Sequence, residues 1–211
     1  SESGASTGLK NVILTPDFFK HYPVLSDKDE MAQVYAIAKD PEGGLWTGVR
    51  GDNPVILINK DSRTEKLIIP EYETRSNPGA VRSLTPADEG MYIGFFQELL
   101  LFYDYDTKKF RRHILPAGGF RALINDSRGW FYLAGDRNDI LYYDPGSMTL
   151  SKKIPYNPAS PIYKFIIDNK GILWAGLNQS VVFRYDPESE KTESVYLLHN
   201  DYNIEDIHPG N

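Results

Sequence analysis

Four short stretches of the chain set a large aromatic residue among small ones: GGLWTG at 43–48, GMYIG at 90–94, GWFYLA at 129–134 and GILWAG at 171–176. Aligned on that aromatic residue, Trp46, Tyr92, Tyr132 and Trp174 stand 46, 40 and 42 residues apart. A period in the forties restricts the chain to a repeat architecture, because each unit must have the same local structure and bury its apolar face on its neighbours.

Each unit reads alike. An apolar run opens it (VYAIAKD, VRSLTPA, FRALIND, IYKFIID), a turn leads into the aromatic stretch, a third apolar run follows (PVILINK, LLLFYDY, ILYYDP, VVFRYDP), and a more polar run closes it (EKLIIP, KKFRRHILP, LSKKIPY, ESVYLLH). Val, Ile, Tyr and Phe dominate, turns recur about every 8 to 12 residues, and no helical period is present. Four antiparallel strands in roughly 40 to 45 residues describe a blade of a β-propeller, an all-β fold in which sheets stand radially around a channel. The blades are expected at about 34–76, 80–116, 120–157 and 162–203, with innermost strands at 34–39, 80–85, 120–125 and 162–167. The repeated ring then fills the space between sheets, and the glycine beside it lets a neighbouring backbone approach. Trp46, Tyr92, Tyr132 and Trp174 are all expected to be buried there.

Composition agrees with one such domain. With 41% hydrophobic residues among 211, the chain can bury a sizeable core. Its net charge of −6 lacks the basic footprint of a nucleic-acid binder. Cysteine is absent, which removes disulfides, thiolate metal sites and cysteine nucleophiles. No apolar run approaches a membrane span, and SESGASTGLK is unlike a signal peptide.

The runs VYAIAKDPEGGLWTGVRGDNPVILINKD, from Val34, and IYKFIIDNKGILWAGLNQSVVFRYDPESEKT, from Ile162, resemble the two-component regulator propeller repeat. That pattern is an apolar V-x-x-I-x-x-D strand, a Gly turn, L-W-x-G-T and then Y-D-x-x-T. The second unit departs from it with a turn one residue shorter, and the third carries Ala134 in place of the glycine. The resemblance implies the extracytoplasmic, glycan-sensing part of a bacterial hybrid two-component system, periplasmic or extracellular, signalling to a kinase. Near the ends, Ile204 and Ile207 repeat the spacing of Val34 and Ile37, and Gly8 aligns with Gly176. Residues 8–22 and 204–207 are therefore expected to share a fifth, mixed blade. A piece of a larger ring, for example one of seven blades, is the alternative.

Chemistry is sparser. His21, His113, His199 and His208 lie far apart without metal-pair spacing and are expected on the surface; acids such as Asp104, Asp106, Asp186 and Glu188 fall in Y-D turns, where Asp bonds the local backbone. No catalytic, phosphate-binding or calcium motif is present, so neither catalytic residues, metal nor cofactor are expected. One slot stands out. Tyr35, Arg82, Arg121 and Tyr163 occupy the same position near the start of the innermost strand in all four units. Such a slot faces the channel entrance, where Tyr can stack on sugar rings and Arg can pair with carboxylate or sulfate, unless these long side chains simply plug gaps between blades. The loops between second and third strands add Arg50, Asp52, Asn53, Gln97, Asp136, Arg137, Asn178 and Gln179. Together they suit a glycan or other small ligand; a homodimer is the protein partner entertained. A propeller enzyme (lactonase, lyase or glycosidase) and a protein-interaction platform are the alternatives.

Overall fold

The computed structural model describes Val24 and residues 32–51, 53–69, 79–96, 99–113, 121–134, 139–147, 149–156, 160–178 and 180–197. The described residues hold strands and turns and no helix, and the strands form four antiparallel sheets. Blade 1 comprises β1 (Val34–Lys39), β2 (Leu45–Val49), β3 (Val55–Ile58) and β4 (Thr64–Lys66). Blade 2 comprises β5 (Val81–Ala87), β6 (Gly90–Phe95), β7 (Leu100–Asp104) and β8 (Phe110–His113). Blade 3 comprises β9 (Ala122–Asn125), β10 (Phe131–Ala134), β11 (Asp139–Asp144) and β12 (Thr149–Pro155). Blade 4 comprises β13 (Ile162–Ile167), β14 (Leu173–Leu177), β15 (Val181–Asp186) and β16 (Lys191–Tyr196). Strands pair in chain order within each sheet, and β1, β5, β9 and β13 lie side by side in succession, which is the arrangement of propeller blades around an axis. The expected fifth blade lies outside the described residues.

Alternation along the second strands divides each sheet between two neighbours. In β6, Met91, Ile93 and Phe95 face blade 1 while Tyr92 faces blade 3; in β10, Phe131 and Leu133 face blade 2 while Tyr132 and Ala134 face blade 4. Every repeated ring except the last thus meets the next blade. Trp46 stands edge-on to Tyr103 at 5.2 Å, Tyr92 to Phe131 at 4.3 Å and Tyr132 to Tyr185 at 6.3 Å. The glycines make this approach possible: a Cβ at Gly48 would lie 2.5 Å from Cγ1 of Val81 on the adjacent blade. Trp174 departs from the expectation of burial. It is only half-buried, because its face of β14 turns away from blade 3 and meets no described blade.

The turn before each second strand is built by one side chain. Asp40 accepts from the Gly44 amide at 2.6 Å and from Trp46 Nε1 at 2.8 Å; Asp168 accepts from the amides of Lys170 and Ile172 and from Trp174 Nε1 at 2.9 Å. Blade 2 has Ala87 in that place, and its ring, Tyr92, has no indole N–H to satisfy. Blade 3 keeps Asp126 with Tyr132, and there the Tyr142 hydroxyl donates to the carboxylate instead, at 2.5 Å. Gly43, Gly129 and Gly171 close these turns at φ of 90°, 79° and 77°, a conformation in which an L side chain is strained.

The Y-D turns are structural, as expected. Asp104, Asp144 and Asp186 accept from amides or a hydroxyl two or three residues on, and those bonds hold all three carboxyls below the usual carboxylate range. His113 is a correction. It is 4% exposed rather than solvated, packed against the rings of Tyr92 and Phe102 at the inner side of blade 2's last strand.

Candidate functional site

The innermost strands begin with an irregularity. Pairing between β1 and β2 skips from Val34 to Ala36, between β5 and β6 from Val81 to Ser83, and between β13 and β14 from Ile162 to Lys164. The residue passed over in each case is Tyr35, Arg82 or Tyr163. A bulge inserts an unpaired residue and re-aims its side chain, so the slot seen in the repeats is a bulge position in three blades. In blade 3, Arg121 stands directly before β9 with its amide donating to the Ala134 carbonyl at 2.9 Å.

These four residues converge. Together with Gln33 and Val34 they line a cavity of about 450 Å³ at the channel mouth, and it continues into one of about 520 Å³ between the four innermost strands. Arg82 lies with Cζ 4.4 Å from the Tyr35 ring centroid and 5.5 Å from that of Phe96, and Arg121 lies 5.3 Å from the same Phe96 ring. Phe96 therefore lies close to both guanidinium groups, its amide donating to the Ala80 carbonyl at 3.0 Å. Phe96 is not among the polar loop residues expected from the sequence; its signal there is that it alone of the four residues following a second strand (Arg50, Phe96, Gly135, Asn178) is aromatic. Tyr35 is more constrained than expected: one face carries Arg82, and its hydroxyl donates to Gln33 Oε1 at 2.7 Å.

Charge is distributed unevenly along the channel. Arg82 and Arg121 line the mouth and Lys164 the channel beyond it, and no Asp, Glu or His is among the described residues lining either. Arg82 has no ion-pair partner among the described residues; its contacts are the two rings. At the opposite ends of the same strands a recess of about 770 Å³ is lined by Asp40, Glu42, Asp88 and Asp126 with Lys39 and Arg128. Two of those carboxylates are committed to the turns described above. For Asp126, burial pushes the carboxyl upward, but the Tyr142 hydroxyl and the amides of Arg128 and Trp130 outweigh it and hold the group below its ordinary value. No cluster of three potential metal ligands occurs among the described residues.

The remaining expected positions are scattered. Arg50 is exposed and Asn178 half-buried, and neither is among the residues lining the mouth. The Asn178 amide donates to the Pro161 carbonyl at 3.3 Å, which ties the loop after β14 to the start of β13. Asp52, Gln97 and Arg137 lie outside the described residues, as do Asp136 and Gln179.

No protein-family model matches the chain, and no curated protein matches it. Solved structures share its fold at low identity. The extracellular domain of a B. thetaiotaomicron protein described as a one component system superposes with a TM-score of 0.65 at 18% identity, over 86% of this chain and 24% of that one. A second structure, described as the extracellular domain of a hybrid two component system of B. thetaiotaomicron, gives 0.58 at 17% identity, over 83% and 29%. Virginiamycin B lyase from Staphylococcus aureus with quinupristin gives 0.68 at 15% identity, over 82% and 59%. The chain therefore spans about a quarter to three fifths of the length of these neighbours, and what it shares with them is the propeller fold, including that of the extracellular domain of a hybrid two component system.

Proposed function

We propose that this chain is a ligand-sensing propeller module, extracytoplasmic like the extracellular domains whose fold it shares, and that it takes an acidic oligosaccharide at the cationic channel mouth. One observation carries the reading: in a chain of net charge −6, Arg82 and Arg121 converge with Tyr35 and Tyr163 at the channel mouth, and Lys164 lines the channel beyond it. A guanidinium fork pairs with a carboxylate or sulfate through two parallel hydrogen bonds, and each such contact contributes roughly 1.5 to 3 kcal/mol when sheltered. Tyr163, half-buried at the same mouth, offers a ring face for a sugar. Glycoside hydrolysis would call for converging free carboxylates, and of the four at the far recess Asp40 and Asp126 are bound into turns. No helix among the described residues is long and apolar enough to cross a membrane.

The test is a glycan array of uronate-containing, sulfated and neutral oligosaccharides on the purified chain, repeated with Arg82→Ala/Arg121→Ala. Retention of acidic sugars by the parent chain and their loss in the double variant, with circular dichroism unchanged, is the expected result. Binding confined to neutral sugars, or an unaltered affinity in the double variant, would return the two arginines to packing between blades.

A further inference from the structure

The face of blade 2 turned to blade 3 carries a row of side chains across three strands, because the register pairs Tyr92 of β6 with Phe102 of β7 and Phe102 with Arg111 of β8. The equivalent row of blade 3 is Tyr132, Tyr142 and Lys152. There the terminal cation closes the seam: Lys152 donates to the Tyr185 hydroxyl of blade 4 at 3.0 Å and meets the Glu190 carboxylate at 2.5 Å. Arg111 has no ion-pair partner among the described residues, and its guanidinium lies over the Phe102 ring, 5.0 Å from the centroid. The sequence carries the difference. Met148 stands in the position of Glu190, one residue before the strand partner of the turn aspartate. Between blades 2 and 3 the seam holds a cleft of about 630 Å³, at the opposite end of the blades from the channel mouth.

The side chains of this cleft are disposed for a ligand. Tyr92 lines it on a side chain only 9% exposed, and its hydroxyl makes no hydrogen bond to a described residue. The charges that act on that phenol, Arg111, Glu89 and Asp144, line the same cleft, and burial pushes the group up, so it stays protonated and able to donate. The opposite wall is the half-buried ring of Trp130, whose amide is held by Asp126 Oδ1 at 3.1 Å. We infer that this cleft is a second binding site, which takes the α-carboxylate and ring of an aromatic amino acid, free or at the C-terminus of a peptide. The carboxylate stands at Arg111 where the next seam supplies Glu190, and accepts from the Tyr92 hydroxyl; the ring lies against Trp130. A fork without a carboxylate and a sheltered donor are the groups that fix such an end, and the cleft has the volume of a small-molecule site. Asp88 and Glu89, which line it without ion-pair partners among the described residues, suit the ammonium of the free amino acid.

Titration calorimetry of the full chain with L-phenylalanine, N-acetyl-L-phenylalanine and L-phenylalaninamide tests the site. Binding of an acid, and its loss in the amide, which lacks the carboxylate, are expected. The acetylated form lacks the ammonium and separates the two sources: binding weaker than that of the free amino acid assigns a free ligand, and binding as tight or tighter assigns a peptide terminus. Arg111→Gln should weaken the bound acid by about tenfold, and Tyr92→Phe, which keeps the ring and with it the seam, by about 3- to 10-fold. Arg82→Ala/Arg121→Ala should leave the affinity unchanged, which keeps a failure here distinct from one at the channel mouth. Equal affinity for the amide, no binding of either acid at millimolar concentration, an affinity that Arg111→Gln or Tyr92→Phe leaves intact, or one lost in Arg82→Ala/Arg121→Ala would each overturn the inference.

Discussion

At the scale of single residues, the blade's large ring and its turn are one device. Trp46 and Trp174 stand where an Asp ends the innermost strand, and in blade 2, where that Asp is missing, the ring is Tyr. The carboxylate thus serves both the turn amides and the indole N–H, a polar group that would otherwise be buried without a partner. Asp40→Ala should cost about 1.5 to 3 kcal/mol in denaturant unfolding, and Trp46→Ala, at a ring 1% exposed, about 3 to 5 kcal/mol. The same change at half-buried Trp174 should cost less than at Trp46. His113 gives a pH signature. Burial, with the nearby Arg111 charge adding to it, holds the imidazole below its ordinary pKa of 6.5, and the Glu89 and Asp144 carboxylates that line the same recess do not reverse this. The unfolded chain therefore takes up the proton first: the stability is present above about pH 6.5 and is lost as the pH falls through the folded value. Thermal melts between pH 7.5 and about pH 4.5, above the carboxylate range, should show this loss, and His113→Gln should flatten it.

At the scale of the strand, two kinds of irregularity do different work. Glycines in the second strands remove bulk so that sheets can close up, and Gly48→Ala, with its new Cβ 2.5 Å from Val81, should cost about 1 to 3 kcal/mol as overpacking. Gly129→Ala meets open space but keeps a φ of 79°, so its penalty should be nearer 1 kcal/mol and should come from backbone strain alone. Comparing the two variants by chemical denaturation separates packing from conformation. The bulges at Tyr35, Arg82 and Tyr163 add a residue to the innermost strand just where it reaches the channel mouth. That the same slot holds long side chains was visible in the repeats; that three of the four leave the ladder there was not, because a bulge is a statement about the partner strand's register.

For the molecule as a whole, the charge along the channel matters more than the net charge. A chain of −6 repels anions at long range, while its mouth attracts them locally, so the proposed ligand must be held by short-range contacts rather than by steering. Binding of a sulfated or uronate sugar should weaken as salt rises from about 0.05 to 0.5 M, because the Debye length shortens from more than 10 Å to a few Å. Titration calorimetry of the parent chain and of Arg82→Ala at both salt concentrations checks this: the salt dependence should shrink in the variant, and a salt-independent affinity in the parent would place the ligand elsewhere.

The period, the four-stranded unit, the buried rings of the first three blades, the structural Y-D acids and the common slot of Tyr35, Arg82, Arg121 and Tyr163 were determined by the sequence alone. Each follows from local alternation and turn chemistry, and those repeat with the unit. Only the tertiary structure decided what depends on the neighbouring sheet: that His113 is buried, that Trp174 is half-buried and Ile37 exposed, that Arg82 lies on Tyr35, and that Phe96 lies close to two guanidinium groups. The physical reason is the same in every case. A strand's pattern says which side chains share a face, but whether a face is covered, and by what, is set by the blade packed against it.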